Sequence, residues 1–319
     1  MFRYLFRRLS FLLLTVVLTS LMIFLVTQWL PGDVCRVVLG REVGEAALQS
    51  CRNELGLDQP LPIQYTAWLM DFLRGDWGTA FSTRLPIFPM IFERLRNSML
   101  LTALTLAISI PAAVGLGVAA GLNANKPIDG AISVASLAVV GLPEFVTGLV
   151  LIQFFSFGLR ELGLPGLPAS SSIPSGAPFF QILPMLVLPA MTASLVLLAY
   201  IARLTRAGVV EELKQPYVRT AELKGLPRRT VVVKHVLRNA MLPTITVIAI
   251  SFGWLISGLV VIENVFNYPG LGRLMLFAID RRDLPLLQAV SMVTVLGYAL
   301  ANLAADLLYA ALNPRVRLG

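Results

Sequence analysis

Residues 98–122 read SMLLTALTLAISIPAAVGLGVAAGL, and not one of them is Asp, Glu, Lys or Arg. A bilayer core is crossed by about 20 apolar helical residues, and this stretch exceeds that length. In water every side of such a helix would need a protein neighbour; lipid removes the requirement. Working outward, the same texture returns at residues 9–30, 130–158, 181–204, 241–262 and 284–312. Pro111, Pro143 and Pro189 interrupt three of these runs, which a helix bundle tolerates where neighbours satisfy the freed carbonyls. The whole chain agrees. Its 319 residues are 56% hydrophobic and only 14% charged, against about 25% charged in ordinary soluble domains, and mean hydropathy is +0.77. The expected fold is an all-α membrane protein with six transmembrane helices.

Orientation follows from Lys and Arg, which concentrate on the cytoplasmic side. With the N-terminus inside, the inner segments hold Arg3, Arg7, Arg8, Lys126, the basic residues of 203–240, Arg315 and Arg317. Their acids are only Asp129, Glu211, Glu212 and Glu222. The outer segments are nearly balanced. The net charge of +8 is therefore a sign of topology and implies no nucleic-acid partner. Both termini are expected in the cytoplasm, with the chain multi-pass in the membrane. The first apolar run is too long for a signal-peptide core and reads as a retained span. The division is then 1–30, an N-terminal stub and first helix; 31–97, a periplasmic helical insertion; and 98–319, a five-helix core.

Within the insertion, Tyr65, Trp68, Leu69, Phe72 and Leu73 recur at helical spacing. That face either lies at the membrane surface or packs on the bundle. Cys35 and Cys51, the two cysteines of the chain, both fall here, where an oxidising compartment permits a disulfide. Such a bridge would contribute about 3 kcal/mol in the chain-entropy description; two unpaired small residues are the alternative. Residues 164–178, LPGLPASSSIPSGAP, are too rich in proline, serine and glycine for anything but a loop. It is either a passive connection or a contact with a substrate carrier, with Leu164, Leu167 and Ile173 as apolar anchors.

The inner segment 203–240 reads RLTRAGVVEELKQPYVRTAELKGLPRRTVVVKHVLRNA. It is long, basic and helix-forming, and a short helix ending at Gly225 is the natural local reading. A helix displayed beyond the bilayer needs something to dock against; the alternative is a solvated basic face beside anionic lipid.

This loop resembles the conserved cytoplasmic loop of ABC importer permeases, in which a Glu-Ala-Ala stretch precedes a glycine. Gly225 matches the glycine and Ala221 the second alanine. Thr220 stands for the first alanine and Arg219 for the glutamate, so the match to the general motif is partial. The resemblance to the peptide/nickel branch is closer, through YVRTAELKGL and then HVLRNAMLP. It extends along the chain through Pro31-Gly32-Asp33, LGLDQPLPIQY (55–65), Gly75-Asp76-Trp77-Gly78, ENVFNYPGLGRL (263–274), Arg282-Asp283-Leu284-Pro285, Ala305-Asp306-Leu307-Leu308-Tyr309 and Asn313-Pro314-Arg315. The long segment after the first helix resembles the first permease of the pair. This resemblance implies a coupling helix that seats in an ATPase subunit, with Pro216, Tyr217, Val218, Arg219, Thr220, Ala221, Lys224, Gly225 and Leu226 as its contacts. It further implies a homologous second permease, two ATPase subunits, an extracytoplasmic binding protein and alternating access, with di- or oligopeptides as the leading cargo. Nickel chelates and other small solutes remain open.

The chain lacks a phosphate-binding loop of the G-x-x-x-x-G-K-[ST] type, so ATP and Mg are expected on the partners, with no cofactor or metal of its own. His235 is the one histidine, too few for a histidine metal site or catalytic triad. Glu144 falls within an apolar run, which makes it a candidate for the translocation pathway. Ser133, Ser136, Val140, Thr147 and Gly148 share its face at helical spacing, which turns it toward protein or a cavity and away from lipid; a hydrogen-bonded packing residue is the alternative. Asp306 lies near the inner edge, where pairing with an N-terminal arginine or Arg315 is expected. An ion-coupled secondary transporter is the competing class, but it predicts mid-membrane ionisable pairs and inverted repeats, and neither is visible.

Overall fold

The computed structural model describes residues 2–29, 34–39, 43–54, 58–173 and 178–312. The motif residues 31–33 and 313–315, Arg317, and residues 55–57 and 174–177 lie outside that range. Among the described residues, five helices are long and apolar enough to cross a membrane, and a bent pair makes a sixth when it is counted as one span.

Helix α1 (Phe2–Trp29) is followed by three short helices, α2 (Val34–Leu39), α3 (Glu45–Glu54) and α4 (Leu61–Arg74). The core consists of α5 (Ile87–Leu122), the pair α6 (Pro127–Gly141) and α7 (Glu144–Ile152), and α8 (Phe179–Glu212). It continues through α9 (Pro216–Leu223), α10 (Leu237–Gly258), α11 (Val260–Val265), α12 (Leu271–Asp280) and α13 (Leu284–Leu312). A π-helical turn prolongs α7 at Gln153–Gly158 and another leads into α10 at Val231–Val236.

Helices α5 and α8 make the most extensive contact of the bundle. Gly117 and Gly121, one turn apart on α5, permit it. A Cβ on Gly117 would lie 2.5 Å from the carbonyl oxygen of Ala202, and one on Gly121 2.7 Å from the Cβ of Val209. Small residues at this spacing let membrane helices approach backbone to backbone. Gly208 does the same between α8 and α10, its missing Cβ lying 2.6 Å from the Ala240 carbonyl oxygen.

Three expectations change. Helix α5 begins at Ile87, well ahead of residue 98, because Pro86 sets its start and the polar turn around Glu93–Asn97 stays helical beyond the apolar run. The run 130–158 is not one helix: α6 and the helical segment after Pro143 are bent by 105°. Leu142 is extended at φ −92°, ψ 133°, as the residue before proline prefers, and Pro143 has no N–H to continue the ladder. By contrast Pro111, Pro184, Pro189 and Pro243 sit inside unbroken helices. The bend also separates Ser133, Ser136 and Val140 from Glu144, so the single face expected for them does not exist.

The aromatic face of α4 packs on the bundle. Tyr65 meets Phe24 of α1 edge to face and its hydroxyl hydrogen-bonds Ser20 at 2.8 Å. Trp68 and Phe72 continue the contact, while Leu73 is exposed. At the far end of α1, Arg8 pairs with Asp306 at 2.9 Å, as expected for that aspartate. Cys35 is fully buried against Leu48 and is disulfide-bonded; the side chain of Cys51 is not among those described.

Candidate functional site

Helix α9 is built to be held from one side. Pro216 occupies its first turn, where a missing N–H costs nothing, with Gln215 extended before it. The helix stops at Lys224, and Gly225 then takes φ +76°. The Gly225 N–H donates to the Glu222 carbonyl at 2.9 Å and the Leu226 N–H to the Ala221 carbonyl at 3.3 Å. This is the left-handed glycine stop that satisfies a helix's last carbonyls.

Val218 and Ala221 point inward and join Val209 of α8, Val231 and Val236 of the π-helical turn, and Ala240 of α10 in one apolar cluster. Tyr217 is half-buried at its edge. Its hydroxyl donates to Glu212 at the end of α8 and accepts from Asn239 Nδ2 at 3.2 Å. Burial raises the Tyr217 pKa, and the Glu212 carboxylate that it donates to raises it further. The outer face carries Pro216, Arg219, Thr220 and Lys224, all exposed. Beyond the glycine, Leu226 is exposed as well.

Of the residues expected to meet a partner, Val218, Ala221 and Tyr217 are therefore turned toward the bundle. The sequence reading missed Leu223, whose side chain is 81% exposed at the helix tip. Its apolar character was visible in the sequence, but no period in so short a helix says which leucine lies outside the core.

The platform beneath α9 is tied by an ion pair. Arg206 of α8 holds the buried Asp129 of α6 through both its Nε and Nη2 groups, the latter at 2.6 Å from Oδ2. The Asn125 N–H adds a third bond at 2.9 Å. Such bidentate pairing fixes orientation as well as distance, so the 123–126 turn, α6 and the end of α8 behave as one unit.

At the opposite end of the bundle a second buried carboxylate organises the chain. Glu263, 1% exposed, accepts from Ser98 Oγ at 2.6 Å and from the Arg273 N–H at 3.0 Å. Ser98 Oγ also receives the Leu271 N–H at 2.9 Å. Between them they satisfy donors at the start of α12, which Gly270 allows: a Cβ there would stand 2.1 Å from Glu263 Oε1. Tyr268 donates to the Asn97 carbonyl at 2.6 Å, and Asn97 Nδ2 returns a bond to the Pro269 carbonyl. Asp283 caps α13 and also accepts from the N–H and hydroxyl of Ser82.

Glu144 stands half-buried in the first turn of α7, at the bend. Thr147 and Gly148 follow on the buried side, where a Cβ on Gly148 would meet Phe266 and Val265 at 3.2 Å. In the 164–173 segment Leu164 is exposed, but Leu167 and Ile173 pack against the main apolar core. Those two, partly buried, anchor the loop to its own bundle. Ser171 fastens the same segment, its N–H donating to the Phe266 carbonyl at 2.8 Å and its hydroxyl to that of Met185 at 2.6 Å.

Residues 113–318 match the family described as binding-protein-dependent transport system inner membrane component, and residues 1–113 match the N-terminal region described for the same components. The chain belongs to this permease family. A probable peptide ABC transporter permease of Sinorhizobium fredii is 38% identical over 315 residues, spanning 98% of this chain and 99% of its own. A glutathione transport system permease of Salmonella typhimurium is 36% identical over 317 residues, spanning 99% of each; its Escherichia coli K12 counterpart is 36% identical over 318. A crystal structure of an amino acid ABC transporter shares the fold at a TM-score of 0.53 and 15% identity, over 70% of this chain and 94% of that one. The protein is thus an ABC importer permease of the peptide/nickel type, a multi-span subunit whose family works with ATPase and substrate-binding partners.

Proposed function

We propose that this permease forms half of the pathway through which an ATP-driven importer carries di- or oligopeptides across the bacterial inner membrane. It pairs with a homologous second permease, and two ATPase subunits supply ATP and Mg chemistry that this chain does not. Helix α9 is the coupling helix, so the end of the bundle bearing α9, Asp129 and the Arg8–Asp306 pair faces the cytoplasm. The Glu263 end, with α2–α4 as a periplasmic insertion, then faces outward and receives the binding protein. The cargo reading rests on the relatives named for peptide and glutathione transport.

One observation carries the assignment. Helix α9 buries Val218 and Ala221 in its own bundle yet leaves Leu223 exposed between Arg219 and Lys224. An exposed apolar tip flanked by Glu222 and Lys224 fits a groove in a partner protein better than it fits water. Pro216, Arg219, Thr220, Lys224, Gly225 and Leu226 surround that tip. Val218, Ala221 and Tyr217 transmit its movement to α8 and α10. Leu223→Asp should leave the permease in the membrane but abolish uptake and lower binding-protein-stimulated ATPase activity about tenfold. Normal uptake in that variant would remove the assignment.

Glu144, at the bend of α6 and α7, is proposed to line the pathway, where a break in a membrane helix supplies polar groups to a water-filled passage. Leu164 is proposed as the binding-protein contact of the 164–178 loop. Cys35 and Cys51 are proposed to pair and brace the insertion.

A further inference from the structure

At the Glu263 end, a cavity of about 510 Å³ opens between the start of α5 and α12, lined by residues that include Arg94, Arg273, Glu93, Met90, Leu274 and Phe277. Two of its side chains are guanidinium groups. Arg94 Nε is buried and has no hydrogen-bond acceptor among the described residues. Arg273 places one Nη1 bond on the Asn267 carbonyl at 3.0 Å, and its like charge acts on Arg94 together with the opposite charges of Glu93 and Glu263. Glu93, the one acid among the lining residues, already has an interaction of its own. A buried guanidinium donor without an acceptor is costly, and neither carboxylate whose charge reaches Arg94 supplies one to its Nε. An anion in the cavity would supply it. The remaining walls are Thr83, Leu85, Pro86, Pro89 and the apolar side chains above, so the fitting anion is small and amphipathic. The volume lies within the usual range for small-molecule sites, roughly 300–1,000 Å³.

We propose that Arg94 and Arg273 form an entry site for the carboxylate terminus of the cargo, with Met90, Leu274 and Phe277 receiving its last side chain. The proposal rests on the peptide-import reading and adds to it a requirement for a free carboxylate at the permease itself. A guanidinium pair suits that group because each planar fork can hold both oxygens.

The test uses the complete transporter in vesicles. Its binding protein is preloaded with either an apolar dipeptide or the C-terminal amide of the same dipeptide. Selection by the binding protein is common to wild type and variants, so the change in the uptake ratio isolates the permease. Arg94→Gln and Arg273→Gln should each lower uptake of the free-acid dipeptide about tenfold relative to the amide. Arg94→Lys, which keeps the charge, should recover part of the preference. In parallel, the free-acid dipeptide at millimolar concentration should protect Arg94 and Arg273 of the wild-type complex from an arginine-specific dicarbonyl reagent, while the amide should not. An unchanged ratio, or equal loss for both dipeptides, would overturn the proposal. Equal loss together with reduced ATPase stimulation would assign the arginines to the permease surface that docks the binding protein instead. If wild type imports neither dipeptide, the cargo reading fails; the protection experiment then decides separately whether the carboxylate site exists.

Discussion

At the scale of single residues, the decisive positions are those whose backbone or hydroxyl has one workable arrangement. Gly225 at φ +76° lies in the left-handed region, which costs a side-chain-bearing residue about 1–2 kcal/mol. Gly225→Ala should therefore loosen the end of α9 and reduce uptake. Gly225→Pro, whose ring fixes φ near −65°, should abolish uptake while membrane levels persist, as read by transport assay and immunoblot. Tyr217 makes a different kind of statement. Its raised pKa keeps the hydroxyl protonated through neutral pH. The stability from its bond to Glu212 is fully present below the ordinary tyrosine pKa of about 10 and is lost only as pH rises through the higher folded value. Tyr217→Phe should lower stability by about 1–2 kcal/mol, and the deficit measured by thermal unfolding should be the same at pH 6 and pH 8. Glu263→Gln should be harsher, because an amide has one acceptor oxygen where the carboxylate uses both, on Ser98 and Arg273. A drop in melting temperature that Glu263→Asp does not repair is the expected result, since the shorter chain cannot reach α12.

At the scale of elements, the contact between α5 and α8 depends on what is missing from Gly117. Gly117→Leu would drive a side chain into the Ala202 carbonyl, and detergent-solubilised protein should be aggregated or absent by size-exclusion chromatography, whereas Gly115→Ala, with open space around it, should behave as wild type. The elements also show what could be read before the structure. Every span was visible because the solvent dictates its length: uncharged runs such as 98–122 admit one interpretation. Helix α9 was visible because proline starts it and glycine ends it. The bend at Leu142–Pro143 was not, since Pro111 and Pro189 look alike on paper yet sit in unbroken helices. What separates them is the backbone before the proline, extended at Leu142 and helical before Pro111 and Pro189, which residue type alone does not report. The early start of α5 was hidden for a similar reason, as Glu93 and Arg94 carry charge without leaving the helix. Among the site residues, Arg219 and Lys224, expected as cationic contacts, are exposed on α9. Aromatic and apolar types suggest partner anchors at Tyr217, Leu167 and Ile173, yet these side chains pack on their own bundle, because a residue type does not reveal which side of a surface it faces.

At the scale of the whole molecule, pairs that lie far apart in sequence meet consistently at one end or the other. Arg206 reaches Asp129 and Arg8 reaches Asp306 at one end, while Ser82 reaches Asp283 and Ser98 reaches Glu263 at the other. Reporter fusions should accordingly place 213–230 in the cytoplasm and 164–178 outside; the reverse pattern would invert the proposed machine. Mass spectrometry of non-reduced protein should find Cys35 and Cys51 joined in one peptide pair. The same long-range meetings bear on how the chain is made. Among the described residues, the principal helix neighbour of α1 is α13, the last to be synthesised, and the Gln288 amide meets Thr27 across 261 positions. During translation the first helix must wait in the bilayer for its companion, with lipid on every side. That explains an apolar surface running all around it, from Phe11 and Leu13 to Leu18 and Met22, which remains largely uncovered in the finished protein. A ribosome stalled before residue 284 would hold a nascent permease whose first helix is inserted but unattached. Such a chain should be the preferred prey of membrane proteases, and the completed one resistant, so the last helix acts as the clasp that ends the molecule's vulnerable period.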